Sequence, residues 1–349
     1  MSFEIHPEWR LKKRAGSEVS LPLLLQLLET IRDQGSISSA ATQANLSYRH
    51  AWGMLRAFET DFSAPLLEKS RGKGTKLTPL AEKLIWADKR ITARLTPLLE
   101  SFASELEAIL SSASSALRIT ASHGFAVEQL IKRLDAEDIP VEINYRNRLE
   151  AVTALTRGEC DLAGFHVPVG ELELATKTCL KWLDPKQHTL IHLAYRTQGL
   201  FIAKGNPKNI QGLADLQRAD VRFINRQTGS GTKMLLELLL AKANIEPKNI
   251  ADYENAEFTH SAIAAYVASK MADIGFGVET AAKRFDLDFI PLASENYFFA
   301  CKTNTLSHNT LKTARDIMQE QTFRDSVNAL PGYDGSRSGT IVTFEEIFS

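Results

Sequence analysis

Residues 35–59 read GSISSAATQANLSYRHAWGMLRAFE, and this stretch decides the fold of the N-terminal part of the chain. Gly35 closes an apolar helix carrying Leu24, Leu27, Leu28 and Ile31, and Ser36 is a natural N-cap for the next. That second helix has the small residues Ala40, Ala41 and Ala44 where a close crossing needs them. Asn45 tolerates the left-handed geometry of a tight turn, and Leu46 plugs the angle between the helices. Ser47 then caps a third helix whose inward positions Ala51, Leu55 and Phe58 follow one helical face. Its other face carries Tyr48, Arg49, His50, Trp52 and Arg56. Two short helices at a sharp turn, the second rich in arginine and aromatic residues, have helix-turn-helix geometry. Taken alone, the stretch also fits a helical hairpin with solvated charges.

The following segment weighs against the plain hairpin. Leu66–Thr78 reads as two short strands around a basic, glycine-containing tip, a wing whose Arg71, Lys73 and Lys76 can reach phosphates or a minor groove. Pro79 opens a helical segment in which Leu84, Ala87, Ile91, Leu95, Leu98, Phe102, Leu106 and Ile109 recur at steps of three and four. Such a stripe pairs two subunits or packs on its own domain, and Pro97 predicts a kink or a new helix capped by Thr96. Residues 111–116 form a serine-rich linker.

Composition sets outer bounds. At 349 residues, 44% apolar and 24% charged, the chain fits two or three soluble globular domains. The net charge of −1 hides an asymmetry: residues 1–120 hold 16 basic and 13 acidic side chains, leaving 25 and 29 of the 41 and 42 for the rest. That is a basic reader on an acidic body. Residues 1–16 lack the apolar core of a secretory signal, and no run is long enough to span a membrane, so a cytoplasmic location is expected. Arg10, Lys12, Lys13 and Arg14 read as a solvated terminus or a basic arm on DNA. Cys160, Cys179 and Cys301 are odd in number and widely spaced, which fits buried thiols in a reducing compartment.

Beyond the linker, strands alternate with helices, the mark of α/β with a parallel sheet. Strands are expected at 117–120, 141–144 and 161–165, then at 189–195, 199–203, 221–224, 273–276, 288–292 and 297–300. Two such lobes in series predict a cleft-forming binding fold. At a strand end in the second lobe lies Asn225-Arg226-Gln227-Thr228-Gly229-Ser230-Gly231-Thr232, opening a helix. Its glycines, hydroxyls and free backbone amides make an anion site or a well-capped helix with a glycine turn. The spacing fits neither a Walker loop nor a dinucleotide fingerprint. In the first lobe Ser122, His123 and His166 fall at strand ends, as the cleft requires, and His260 begins a helix. Each histidine is a donor to an anion or a structural residue. His188 and His192 lie four apart in an extended segment, too far for a helix-face metal pair, and no metal or cofactor is expected.

Two resemblances accompany these readings. Residues 21–85 resemble the winged DNA-binding domain of the molybdate-responsive ModE regulators, and more distantly that of LysR-type regulators, through Gly35-Ser36-Ile37-Ser38, Ser47-Tyr48-Arg49, Ala51-Trp52 and Leu77-Thr78. Residues 117–349 resemble the periplasmic-binding-protein-like domain classed with molybdate- and tungstate-binding proteins. That likeness rests on Gly205-Asn206-Pro207, Asn225–Thr232, Thr259-His260, Ala272–Gly277 (which brings Gly275 to the ligand set) and Leu287–Leu292. The resemblances imply a multidomain chain: an N-terminal arm at 1–20, an all-α winged helix-turn-helix at 21–80 and a linker or dimerisation helix at 81–110. An α/β two-lobed type II periplasmic-binding-protein-like domain follows at 117–349, with lobe I near 117–200 and 300–349 and lobe II near 201–299.

The expected function is a ligand-responsive transcriptional regulator, a homodimer or larger homo-oligomer on a two-half-site DNA operator. DNA contacts are expected from Ser36, Ser47, Tyr48, Arg49, His50, Trp52, Arg56, Arg71, Lys73 and Lys76. The ligand is expected at Ser122, His123, His166, Asn225, Arg226, Thr228, Gly229, Ser230, Gly231, Thr232, His260 and Gly275. On resemblance the small anionic effector is molybdate or tungstate; Arg226, if it faces the cleft, also suits an organic carboxylate. An α/β enzyme acting on an anionic substrate and a constitutive DNA-binding protein are the competing readings.

Overall fold

A computed structural model describes residues 3–12, 18–69, 74–111, 116–170 and 181–348. The wing tip with Arg71 and Lys73, the serine linker 112–115, Lys13, Arg14 and Cys179 lie outside the described residues. The chain forms two compact units, residues 6–92 and residues 93–349.

In the first unit, α1 (Pro22–Gln34), α2 (Ile37–Gln43) and α3 (Tyr48–Phe62) pack around a core in which Leu24, Leu27, Leu28, Ile31 and Ala51 are fully buried. Local chemistry sets the boundaries. Gly35 ends α1 at φ 66°, the Ser36 hydroxyl accepts from Ser39 N–H, Asn45 turns at φ 55°, and the Ser47 hydroxyl accepts from His50 N–H. The wing strands β3 (Leu67–Lys69) and β4 (Thr75–Leu77) pair antiparallel. A Cβ on Gly74 would come within 2.9 Å of Gly35 O, so the wing base needs a glycine there. The N-terminal arm keeps its Arg10–Lys12 side chains exposed yet is ordered: β1 (Arg10–Lys12) pairs with β2 (Glu18–Ser20), and Trp9 Nε1 donates to Asp88 at 2.6 Å. These pairings give the arm a backbone and side-chain anchor.

The helix α4 runs unbroken from Pro79 to Ser111 with Pro97 inside it, so no new helix begins at Thr96. A proline ring removes one helical hydrogen bond, and at Pro97 that loss does not end the helix.

In the second unit, β5 (Leu117–Ala121), β6 (Val141–Tyr145) and β7 (Leu162–Pro168) alternate with α5 (Phe125–Ala136) and α6 (Arg148–Arg157). The second lobe contains β9 (Phe223–Arg226), α7 (Gly231–Lys242), β10 (Ala256–Glu257), α8 (His260–Ala268), β11 (Ile274–Val278) and α9 (Glu279–Arg284). The lobes share two long strands, β8 (His188–Ile202) and β12 (Asp288–Lys302), in the sheet order β10-β9-β11-β8-β12-β7-β5-β6. Neighbours within each lobe run parallel, whereas β8 and β12 run antiparallel to each other and to the strands beside them, making the sheet mixed. Each long strand replaces two short ones in the sequence reading. The pairing of Glu295–Ala300 with β7 assigns those residues to the first lobe, although the sequence reading ran lobe II to 299.

The register of β8 and β12 shifts between Pro291 and Ala293, at the change from one lobe to the other. Gly199 sits there, where a Cβ would lie 2.0 Å from Ile290 O. Downstream, α10 (Asn309–Gln319) and α11 (Gln321–Asn328) cover the first lobe, and the short β13 (Tyr333–Asp334) returns to β8.

Candidate functional site

The solvent face of α3 presents Tyr48, Arg49, His50 and Arg56 as exposed side chains, with Trp52 partly covered. Tyr48 and Trp52 stack at 6.5 Å, and the Arg56 guanidinium lies 4.7 Å over Trp52 while bonding Glu59 at 2.9 Å. Arg56 is thereby held by its own helix, which leaves Arg49 as the unencumbered guanidinium on the first turn. Glu59 also accepts from Leu66 N–H at 2.9 Å, tying α3 to the wing. Ser36 and Ser47 act as caps, and Lys76 is exposed on β4.

Four helix N-termini meet strand ends around the cleft of the second unit: those of α5 (N-cap Gly124), α6 (Asn147), α7 (Ser230) and α8 (Thr259). Each aims backbone amides and a positive dipole end outward. His166 at the end of β7 lies 3.6 Å from the Cβ position of Gly231, joining the two lobes. Arg148, at the start of α6, crosses likewise, with Nη2 3.2 Å from Met234 Sδ on α7. Arg226 ends β9, and Arg196 lies on β8 beside Gly124. A Cβ on Gly277 would come within 2.6 Å of His260 Nδ1, so that glycine leaves room for the ring.

The electrostatics are unusual for a buried place. Three arginines, Arg148, Arg196 and Arg226, are buried with two glutamates, Glu257 and Glu295. Arg196 and Glu295 form a tight ion pair, and Gln198 donates to the same carboxylate at 2.6 Å. Burial works against the charge on Arg196, but Glu295 and Tyr333 together outweigh it and raise the guanidinium pKa. Arg226 is compensated only in part: burial and then repulsion from Arg196 outweigh the attraction of Glu257 and Glu295 and bring it down to about 9. His166 falls well below its ordinary value through burial and then Arg196, Arg148 and Arg226. Burial, then Arg226 and Arg196, does the same to His260, and His123 is lowered to about 4. All three imidazoles are neutral at pH 7.

Several polar atoms of this cluster are unpaired: Arg226 Nε and Nη1, Arg148 Nη1, both ring nitrogens of His166 (one a donor, one an acceptor in the neutral ring) and Nδ1 of His260 are buried without a hydrogen-bond partner among the described residues. A buried donor without an acceptor costs about 1–3 kcal/mol, more when charged, so such convergence is unfavourable unless an anion completes it. The hydroxyls of Ser230 and Thr232 are buried at the start of α7, and Ser122 lies just ahead of α5. Among the described residues no group of three or more His, Cys, Asp or Glu side chains is placed to hold a metal ion.

Three sequence-derived candidates sit elsewhere. Asn225 points away from Arg226 on the same strand and donates to Tyr253 O at 3.1 Å, a structural tie. Gly275 packs against α8, with Ile263 Cγ2 2.4 Å from its Cβ position. Thr228 is exposed beside Lys233 Nζ at 3.5 Å. Gly229 is exposed too, but Asn147 Nδ2 lies 3.9 Å from its Cβ position, so it borders the cleft. The sequence reading missed Arg148, Arg196, Gln198 and Glu295. Arg148 was within reach, because it follows a strand end and opens a helix as His123 does. The β8 and β12 residues carry no such local sign.

Among known proteins, residues 131–319 match the family described as PBP superfamily domain, and residues 23–82 match the bacterial regulatory helix-turn-helix proteins of the lysR family. The uncharacterised protein YvgK of Bacillus subtilis is 34% identical over 200 residues, 57% of this chain and 64% of YvgK, so the chain spans just under two thirds of that relative. The transcriptional regulator ModE of Haemophilus influenzae is 41% identical over 68 residues, 18% of this chain and 27% of ModE. Of solved structures, Corynebacterium glutamicum OxyR with bound hydrogen peroxide aligns with a TM-score of 0.45 at 16% identity, covering 88% of this chain and 94% of that one.

Proposed function

The chain belongs to the PBP superfamily domain family and carries a lysR-family helix-turn-helix ahead of that domain, and we propose that it is a ligand-responsive DNA-binding transcriptional regulator. Its effector is a small anion held between the lobes. The observation that carries this reading is the set of buried, partnerless donors on Arg226, Arg148, His166 and His260. An anion supplies the acceptor oxygens these groups lack and balances a cluster with three arginines against two glutamates. Helix N-termini and the Ser230 and Thr232 hydroxyls complete a site for a compact, many-oxygen ligand. Molybdate or tungstate is the proposed effector, on the resemblance of residues 117–349 to the domain classed with molybdate- and tungstate-binding proteins. Because His166 and Arg148 touch α7 from the first lobe, the ligand favours the closed arrangement by binding it more tightly than the open one.

The DNA reader is α3 with its wing, and the regulator acts as a cytoplasmic homodimer or larger assembly. Along α4, Leu98, Phe102 and Ile109 are 66%, 52% and 68% exposed at steps of four and seven, an apolar seam fit for a second copy of the same helix. Leu98→Asp is expected to convert the assembly to folded monomers in light scattering; a mutant that remains an oligomer places the interface elsewhere. The regulator itself is tested by fluorescence anisotropy on DNA from upstream of its own gene, with and without sodium tungstate or molybdate. A change in apparent Kd of roughly fivefold or more is expected, the range of ordinary allosteric coupling. Identical isotherms with both anions and without them contradict the oxyanion-responsive regulator.

A further inference from the structure

The face of α4 opposite the apolar seam is occupied. Ser104 donates to Val141 O at 2.9 Å and accepts from Ile143 N–H at 2.8 Å, and the Ser101 hydroxyl accepts from Tyr145 N–H at 3.2 Å. The strand β6 is an edge strand, and these two serines, three apart on one helix face, satisfy alternate backbone groups that a neighbouring strand would otherwise bond. Glu100, just ahead of Ser101, lies 3.7 Å from His123 at the cleft side of the first lobe.

About two turns earlier, the same helix reaches the second lobe. The Thr259 hydroxyl donates to Ala93 O at 2.9 Å, while Arg94 lies 3.8 Å from Glu257 and stacks over Phe258 at 4.8 Å. Glu257 is the register partner of Arg226 across β10 and β9 and favours its charge, so one buried carboxylate is 3.8 Å from a cation on α4 and acts on a cation in the cleft.

We propose that residues 93–104 of α4 form a strap fastened to both lobes, and that Glu257, shared between Arg94 on the strap and Arg226 in the cleft, passes occupancy of the cleft to the strap. This rests on the anion-binding reading above. With the cleft empty, Glu257 offsets the charge of Arg226. An anion on Arg226 takes over that role and leaves Glu257 to Arg94, tightening the strap on the second lobe as the lobes close. Arg94 and Glu257 are positioning residues: neither touches the anion.

Hydrogen exchange of the full chain, with and without saturating sodium tungstate, tests this. In the native protein tungstate is expected to slow exchange at the start of α7 and, by roughly fivefold or more, at residues 93–104. In Arg94→Ala the first effect persists and the second disappears, and Arg94→Lys, which keeps the charge, restores part of it. A native protein in which α7 responds and the strap does not, or an Arg94→Ala protein whose strap responds as native, overturns the proposal. A ligand-free arm separates the two readings. There, Arg94→Ala exchanges faster than native at residues 93–104 if the strap is fastened as described, and unchanged exchange overturns it. Absence of any tungstate effect at α7 instead overturns tungstate as the cleft's anion.

Discussion

The chain displays its cations in two opposite ways. On α3, Arg49 stands in water at the first turn of a helix whose core face is complete without it. In the cleft, Arg226 and Arg148 are almost wholly removed from water, and Arg226 Nε and Nη1 and Arg148 Nη1 have no acceptor among the described residues. An exposed guanidinium costs the free protein nothing, and its phosphate contacts contribute only what exceeds its bonds to water. A desolvated one destabilises the free protein, and its ligand recovers that cost on binding. The difference teaches that the DNA face is built for reversible, salt-sensitive contact and the cleft for a ligand that changes the energy of the fold.

Replacing Arg226 should sharpen this contrast most. Arg226→Leu is expected to weaken anion binding at least about a hundredfold, because the remaining donors lose their main charge. The same variant should be more stable than native in the absence of ligand, by roughly 1–3 kcal/mol, seen as a higher Tm in calorimetry. A destabilised variant would break the comparison, since Arg226 would then serve the fold. On the DNA side, Arg49→Ala should cost roughly 1–3 kcal/mol on the preferred operator and blur its preference over random duplex, with Tm unchanged. An unchanged isotherm removes Arg49 from base reading.

Smaller effects follow from pH and salt. The anion binds protonated Arg226, so affinity should fall by up to about tenfold per pH unit as pH rises above about 9, the value to which burial and Arg196 bring this group. Stability of the free protein should move oppositely. Between about pH 9 and the ordinary arginine range, the unfolded chain holds the proton that the folded chain has lost, so Arg226 contributes increasing stability with pH there. Titrations of the native protein across pH 7–10 should show this fall, and a flat profile removes Arg226 from anion binding. The smallest effect is expected for Lys76→Ala, which should weaken all duplexes about equally and lower the slope of log K against log salt by about one.

What the sequence could reveal differed between the regions for the same physical reason. Caps, turns and helix faces in the first unit are local, so Gly35, Ser36, Asn45 and Ser47 could be assigned from neighbours alone. The start of α7 was legible through its Gly-Ser-Gly run. The floor of the cleft was not. Arg196 and Gln198 on β8, and Glu295 on β12, interrupt apolar strands, and each interruption split one 15-residue strand into two in the sequence reading. These breaks were the site itself, polar residues tolerated in buried strands because Arg196, Gln198 and Glu295 satisfy one another across a pairing some 97–99 residues apart. Asn225 and Gly275 were misplaced because strand alternation and helix packing, not proximity to the motif, decide which way a residue faces.

The central claim, that the buried donors of the cleft exist to take an oxyanion, is tested most directly by isothermal titration calorimetry. The full chain, shown by elemental analysis to be free of bound anion, would be titrated at pH 7 with molybdate, tungstate, sulfate and phosphate. Saturable one-site heat is expected with molybdate or tungstate, absent in Arg226→Leu and strongly reduced in Arg148→Leu. No heat with any of the four anions, or native-like heat in Arg226→Leu, would contradict it.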